Sequence, residues 1–254
     1  MSLREALAER VLVGDGGMGT MLQSWELTAA DFDGAEGCNE MPTLPRPDVV
    51  RAVHDGYLDA GSDVITTNTF GCNWANLTEY GLEGRLGELA AAGARIARRA
   101  ADEAPGRRWV SASVGPGTKL PSLGQTDFTT LENAYETQLD AMIAEGIDGI
   151  RLETCQDLLQ ARAAVIAARR ACARAGVDLP ITVSVTVETT GTMLVGSEIT
   201  AALVALEPLG IDMIGMNCAT GPAEMREHLR ALASHARCAL MAMPNAGMPE
   251  ITLT

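Results

Sequence analysis

Seven short apolar, β-branched runs recur along this chain, and they limit its fold more than any other feature. They are VLVGDGG (11–17), DVITTNTF (63–70), WVSASVGP (109–116), GIRLETC (149–155), ITVSVTVE (181–188), DMIGMNCA (212–219) and CALMAMPNAG (238–247). Helical stretches lie between them. Leu86, Leu89, Gly93, Ile96 and Ala100 recur at three-four spacing, as do Leu131, Tyr135, Leu139 and Met142. Runs read as apolar at nearly every position, separated by helices, predict a parallel sheet covered on both faces, hence an α/β fold. An open doubly wound sheet satisfies the same pattern. Unit after unit without a long linker favours a (β/α)8 barrel of the TIM type, with the first segment capping its base. The count stops at seven strands, so the barrel is expected to be incomplete, as one domain over residues 1–254.

Helix starts are marked. Ser2 and Glu5 have capping-box spacing, Thr129 and Glu132 repeat it, and Pro47 and Pro222 suit first helical positions. The charged, helical start MSLREALAER is unlike a signal peptide, and no run reaches the ~20 apolar residues of a membrane span. With 33 acidic against 19 basic side chains, the net charge of −14 disfavours nucleic acid and anionic membrane. Six cysteines without a CxxC pair fit a reduced, cytoplasmic protein.

Polar residues stand where the apolar runs end: Asp15, Asn68 and Thr69, Ser113, Glu153, Glu188, Asn217 and Cys218, and Asn245. In a barrel these ends converge on one mouth, so the set predicts a polar pocket with two acids, Asp15 and Glu153. Each also has a plainer use. Asp15 is suited to capping the short helix after it, and Thr154 and Ser197 to satisfying loop amides. Gly14-Asp-Gly16-Gly17-Met-Gly19 matches GxGxxG, but its carboxylate would face a pyrophosphate, and the next strand lies beyond a ~30-residue unit. Cys72, Cys155 and Cys218 fall at or after run ends, where a three-thiolate metal site is conceivable. Cys38, Cys172 and Cys238 read as packing residues, and His54, His228 and His235 as surface or packing residues.

The segments VGDGGMGTMLQ, GCNEMPTLPRPDVVRAVHDGYLDAGSDVITTNTFGCN, GPGTKLPSLG, ETCQDLLQARAA, VTVETTGTMLVGSEI, MIGMNCATGP and MPNAG, in this order, closely resemble the homocysteine-binding domain of cobalamin-dependent methionine synthases. The resemblance implies a zinc-dependent barrel in which homocysteine, bound to zinc as a thiolate, takes a methyl group from methylcobalamin. By the family's motif Cys218 is one of three thiolate ligands. Asp15 and Glu153 hold the ammonium end of homocysteine, with backbone around Gly16 and Gly17 and with Asn217 counted among the substrate contacts. The chain departs from the pattern in one place. The family's other two zinc ligands are a cysteine pair in a Gly-Gly-Cys-Cys-Gly motif on the eighth strand, and this sequence lacks that motif.

The expectation is therefore a homocysteine-binding fragment, inactive until completed by the missing strand and by the cobalamin and folate modules. Its open barrel edges would be prone to self-association. A stand-alone methyltransferase using a sulfonium or betaine donor is the runner-up, and a non-catalytic barrel remnant acting as a binding module comes from a different class.

Overall fold

A computed structural model describes residues 1–246. Its six strands are β1 (Val64–Thr66), β2 (Trp109–Val114), β3 (Gly149–Cys155), β4 (Ile181–Val185), β5 (Met213–Asn217) and β6 (Ala239–Met243). They form one parallel sheet in chain order. Helices α1 (Leu3–Glu9), α2 (Met18–Gln23), α3 (Pro47–Asp59), α4 (Trp74–Thr78), α5 (Leu86–Glu103), α6 (Phe128–Ile143), α7 (Leu158–Ala175), α8 (Ile199–Leu206) and α9 (Pro222–His235) precede or link them. Among the described residues no helix is long and apolar enough to cross a membrane.

The seven expected strands become six. The first run meets the sheet only through an isolated bridge between Gly14 and Val64. The Val13 N–H donates to the Asp63 carboxylate at 2.9 Å, and the Asp15 N–H to the Val64 carbonyl at 3.0 Å, on either side of that bridge. Whether an eighth strand exists is a question that falls on residues 247–254, outside the described residues. At the two ends of the sheet as described, Val11 and Val13 on the first run are 89% and 57% exposed, and Leu240 on β6 is 38% exposed.

The strands are not apolar throughout. They alternate. Val110, Ala112, Val114, Ile150, Leu152, Ile181, Val183, Ile214 and Met216 join helix residues such as Leu89, Leu139 and Val165 in one core. The intervening positions carry Thr66, Ser111, Ser113, Arg151, Glu153, Ser184 and Asn217, and this second face is concave. Arg151 on β3 reaches both ends of the sheet: its Nη1 lies 3.2 Å from Met243 Sδ on β6, and its Nη2 is 3.6 Å from where a Cβ on Gly14 would sit.

A repeated junction sets the starts of β1, β3 and β5. Helices close on a left-handed glycine followed two residues later by aspartate: Gly61 and Asp63, Gly146 and Asp148, Gly210 and Asp212. Each aspartate accepts the N–H of a residue on the preceding segment, Val13, Val110 and Ile181 respectively, at 2.8–2.9 Å. Its own N–H donates to the carbonyl of that same residue. Arg10, Arg98 with Arg107, and Arg4 neutralise the three carboxylates.

The Ser2 and Glu5 capping box is present, and Pro47 and Pro222 are first helical residues. Thr129 is not a cap. Helix α6 starts two residues earlier than such a cap implies, and Asp127 caps it by accepting the Thr130 N–H.

Candidate functional site

Asp15 follows the first run and is buried against β1. Its carboxylate accepts the Thr66 N–H at 2.6 Å and the Thr66 hydroxyl at 2.9 Å. It does not cap α2, whose N-cap is Gly17 without a side-chain bond. Burial pushes the Asp15 carboxyl up to about 6, against the pull of Arg151 and the Thr66 bonds, and nearby Glu153 raises it further.

Glu153 sits in a β-bulge. Leu152 pairs with Val183 and Cys155 with Val185, so three steps along β3 face two along β4. Glu153 keeps the polar face by alternation with Arg151 and accepts the Ser113 hydroxyl at 2.6 Å, while the extra residue turns Cys155 into the helix-side core. Thr154, inside the bulge, has φ +58, a conformation that a β-branched side chain rarely adopts. Its part is larger than satisfying a loop amide.

Asn217 ends β5 and holds that bulge. The Thr154 N–H donates to Asn217 Oδ1 at 2.9 Å, and the Ser184 hydroxyl donates to the same oxygen at 2.7 Å. The Asn217 amide donates to Thr154 Oγ1 at 2.8 Å and to Cys218 Sγ at 3.1 Å. Cys218 is exposed at the strand end, where Cys218 and Ala219 both have positive φ, 58° and 57°.

The sequence-predicted residues thus come together unevenly. Asp15 and Glu153 share the concave wall, with Cys218 tied to Glu153's bulge through Asn217 and Thr154. Gly16 and Gly17 form the turn after Asp15. A side chain on Gly16 would put its Cβ 2.8 Å from the Tyr57 hydroxyl, which itself donates to the Gly17 carbonyl at 3.2 Å. Asn68 belongs elsewhere: it ties loops together by donating to the Asn39 carbonyl and Thr43.

The three-thiolate set of Cys72, Cys155 and Cys218 does not form. Cys72 and Cys155 are buried, and burial pushes the Cys155 thiol up to about 12 and the Cys72 thiol well above its usual range. Among the described residues no three His, Cys, Asp or Glu side chains are grouped as metal ligands. The donors present therefore do not fit a closed zinc site. His54 is fully buried, as a packing residue, and its ring nitrogens lack hydrogen-bond partners among the described residues. A cavity of about 540 Å³ opens at the opposite, strand-start end, where Arg4 and Arg107 are already paired with aspartates.

Arg151 was not singled out from sequence, although a charge in the alternating IRLET run signals an inward position. Thr66 and Ser184 carried no signal, being ordinary strand residues.

The profile of the family described as homocysteine S-methyltransferase matches residues 12–253. The chain belongs to the homocysteine S-methyltransferase family. Two curated relatives are methionine synthases, from Mycobacterium tuberculosis (strain ATCC 25618 / H37Rv) and Mycobacterium leprae (strain TN), each 56% identical over 252 residues. Each match covers 98% of this chain and 21% of the relative, so the chain spans about a fifth of their length. Among solved structures, the homocysteine methyltransferase MmuM from Escherichia coli matches in its metallated form, with a TM-score of 0.78 and 20% identity. That match covers 96% of this chain and 87% of MmuM, and the oxidised form of MmuM gives the same TM-score at 21% identity. The likeness assigns the fold of that methyltransferase to this member of the family.

Proposed function

We propose that this domain binds homocysteine and presents its sulfur for methylation by methylcobalamin carried on another module, giving methionine. The observation that carries the reading is the acidic concave wall. Asp15 is buried beside Glu153, with Arg151 as the nearby cation, and its carboxyl is held up to about 6. An ammonium group between Asp15 and Glu153 relieves that cost by charge-assisted hydrogen bonds. The turn at Gly16 and Gly17 seats the amino-acid end, because only glycine clears Tyr57 there. The sulfur end then points toward Cys218.

Zinc belongs to this reading through the family, and Cys218 is the thiolate this chain offers. The remaining ligands come from another part of the enzyme or another chain, since the other described cysteines lie off the wall. Identity of 56% with methionine synthases favours a corrinoid donor, with cobalamin and folate modules as partners, over a sulfonium or betaine donor. The loops after the strands also expose Trp25, Phe70, Trp74, Leu123 and Leu194, an apolar rim suited to a covering module. Until such a cover is in place the open edges at Val13 and Leu240 favour self-association. Six free cysteines accord with a cytoplasmic setting.

Calorimetry tests the reading with L-homocysteine and with 4-mercaptobutyrate, which lacks the ammonium. Binding of the first at least tenfold more tightly is expected. Equal affinities would overturn the ammonium assignment.

A further inference from the structure

We infer that Asn217 is a positioning residue that couples the two halves of the site, holding Glu153 through Thr154 and orienting the Cys218 sulfur directly. The inference rests on the proposed function only for what the two halves bind. The geometry stands by itself.

The orientation of the Asn217 amide is fixed. The Thr154 backbone N–H is a donor and nothing else, so the atom 2.9 Å from it must be the oxygen. The nitrogen then faces Thr154 Oγ1 and Cys218 Sγ, at 2.8 and 3.1 Å. With Ser184 also donating to the oxygen, both acceptor positions and both N–H groups of the amide are used. No part of it remains for a ligand. Asn217 therefore serves homocysteine through its neighbours and not by contact.

What it holds is unusual backbone. Thr154, Cys218 and Ala219 all lie at positive φ without being glycine. Such residues persist where their surroundings over-determine them. Asn217 grips Thr154 by main chain and side chain at once, which keeps the bulge from relaxing and Glu153 from turning off the concave wall. The same amide donates a hydrogen bond to the sulfur, which fixes the side chain's direction.

The test is Asn217→Asp in the 254-residue chain, with Thr154→Gly as the companion variant. Aspartate keeps the acceptor for the Thr154 N–H and Ser184 and removes both donated hydrogens, but adds a charge beside the sulfur, so uncharged Asn217→Leu is measured with it and must show the same fall. Peptide mass spectrometry would follow carbamidomethylation of all six cysteines by iodoacetamide at one pH. The expected result is a loss of about tenfold in the Cys218 rate, with the buried cysteines as slow as before. Homocysteine affinity should fall in parallel. In Thr154→Gly, which adopts positive φ without help, Asn217→Asp should lower the melting temperature less, while the Cys218 rate falls equally. A Cys218 rate within twofold of wild type, or all six cysteines accelerating together, would overturn the inference. If the single variant unfolds, the double variant supplies the comparison, and its unfolding too would reduce Asn217 to a requirement of the fold. The alkylation readout needs no homocysteine, so a wild-type chain that fails to bind homocysteine would sink the proposed function and leave this test intact.

Discussion

Replacing Asp15 by asparagine should make the free protein more stable and the site worse. The Asp15 carboxyl is raised from 3.8 to about 6 by burial. Each pKa unit corresponds to ~1.4 kcal/mol, so ionised Asp15 costs the folded state about 3 kcal/mol above pH 6. The folded form binds this proton more tightly than the unfolded form. The penalty is therefore absent below pH 3.8, grows as pH rises, and is complete above about 6. Asparagine presents one oxygen to the Thr66 N–H and hydroxyl, now at 2.6 and 2.9 Å, and removes the buried charge. Allowing for weaker neutral hydrogen bonds, Asp15→Asn should gain about 1–3 kcal/mol at pH 8, several degrees of melting temperature. The gain should vanish near pH 4. Homocysteine affinity should fall roughly tenfold to a hundredfold, the cost of a lost charge-assisted contact. Thermal melting at pH 4, 6 and 8, together with calorimetry at pH 8, makes the comparison. A variant that is less stable at pH 8 yet binds homocysteine normally would show that Asp15 is structural and that the acidic wall is misread.

Glu153→Gln should weaken homocysteine binding by roughly tenfold to a hundredfold while leaving metal content unchanged, measured by calorimetry and elemental analysis, because its proposed partner is the ammonium. Unaltered affinity with lost metal would reverse that role. Residues 1–254 alone should retain zinc at well under one ion per chain after dialysis, and Cys72→Ser and Cys155→Ser should not change this. A tightly held stoichiometric ion in a monomer would contradict the donor set described. Gly16→Ala should impair binding through its Cβ 2.8 Å from Tyr57, and Tyr57→Phe should restore part of it; no rescue would mean the turn matters for another reason. Burial holds His54 down at about 4, so its contribution is present above 6.5 and lost as pH falls toward 4, about 3 kcal/mol in all. His54→Leu should flatten the acid limb of a stability-against-pH curve, and an unchanged limb would place the acid sensitivity elsewhere.

The order of elements was legible because helix period and strand length differ so sharply along this chain. The site was legible to the extent that strand ends are. Asp15 follows the first apolar run, Glu153 lies near the end of β3 and Cys218 follows β5, and parallel connection puts those ends on one side. The inward face was misjudged, because Ser111 and Ser184 are small enough to pass unnoticed within apolar runs, although WVSASV alternates cleanly. The first run looked like its six successors, yet pairing depends on distant residues, and this run meets β1 only through the bridge between Gly14 and Val64. The bulge at Thr154 was hidden for a similar reason. A threonine at positive φ has no local cause in GIRLETC, and what holds it there is Asn217, two strands along.

The two ends of the sheet use carboxylates in opposite ways, and this explains how one acidic chain can be both well folded and reactive. At the strand starts, Asp63 is held down to about 2, first by its hydrogen bonds to Arg10, with the Val13 amide adding to the effect. Asp148 and Asp212 likewise have arginines and amides to satisfy them. These charges are consumed in fixing register and offer a ligand nothing further. At the strand ends, Asp15 has two bonds from Thr66 and a nearby Arg151 that does not reach ion-pair distance, and its burial outweighs them. A carboxylate left short of partners inside a fold is a cost that a cation can recover, whereas a satisfied one offers a ligand nothing. Net charge therefore says little about where this molecule acts; the acid whose environment leaves it under-compensated marks the place where an ammonium can be held.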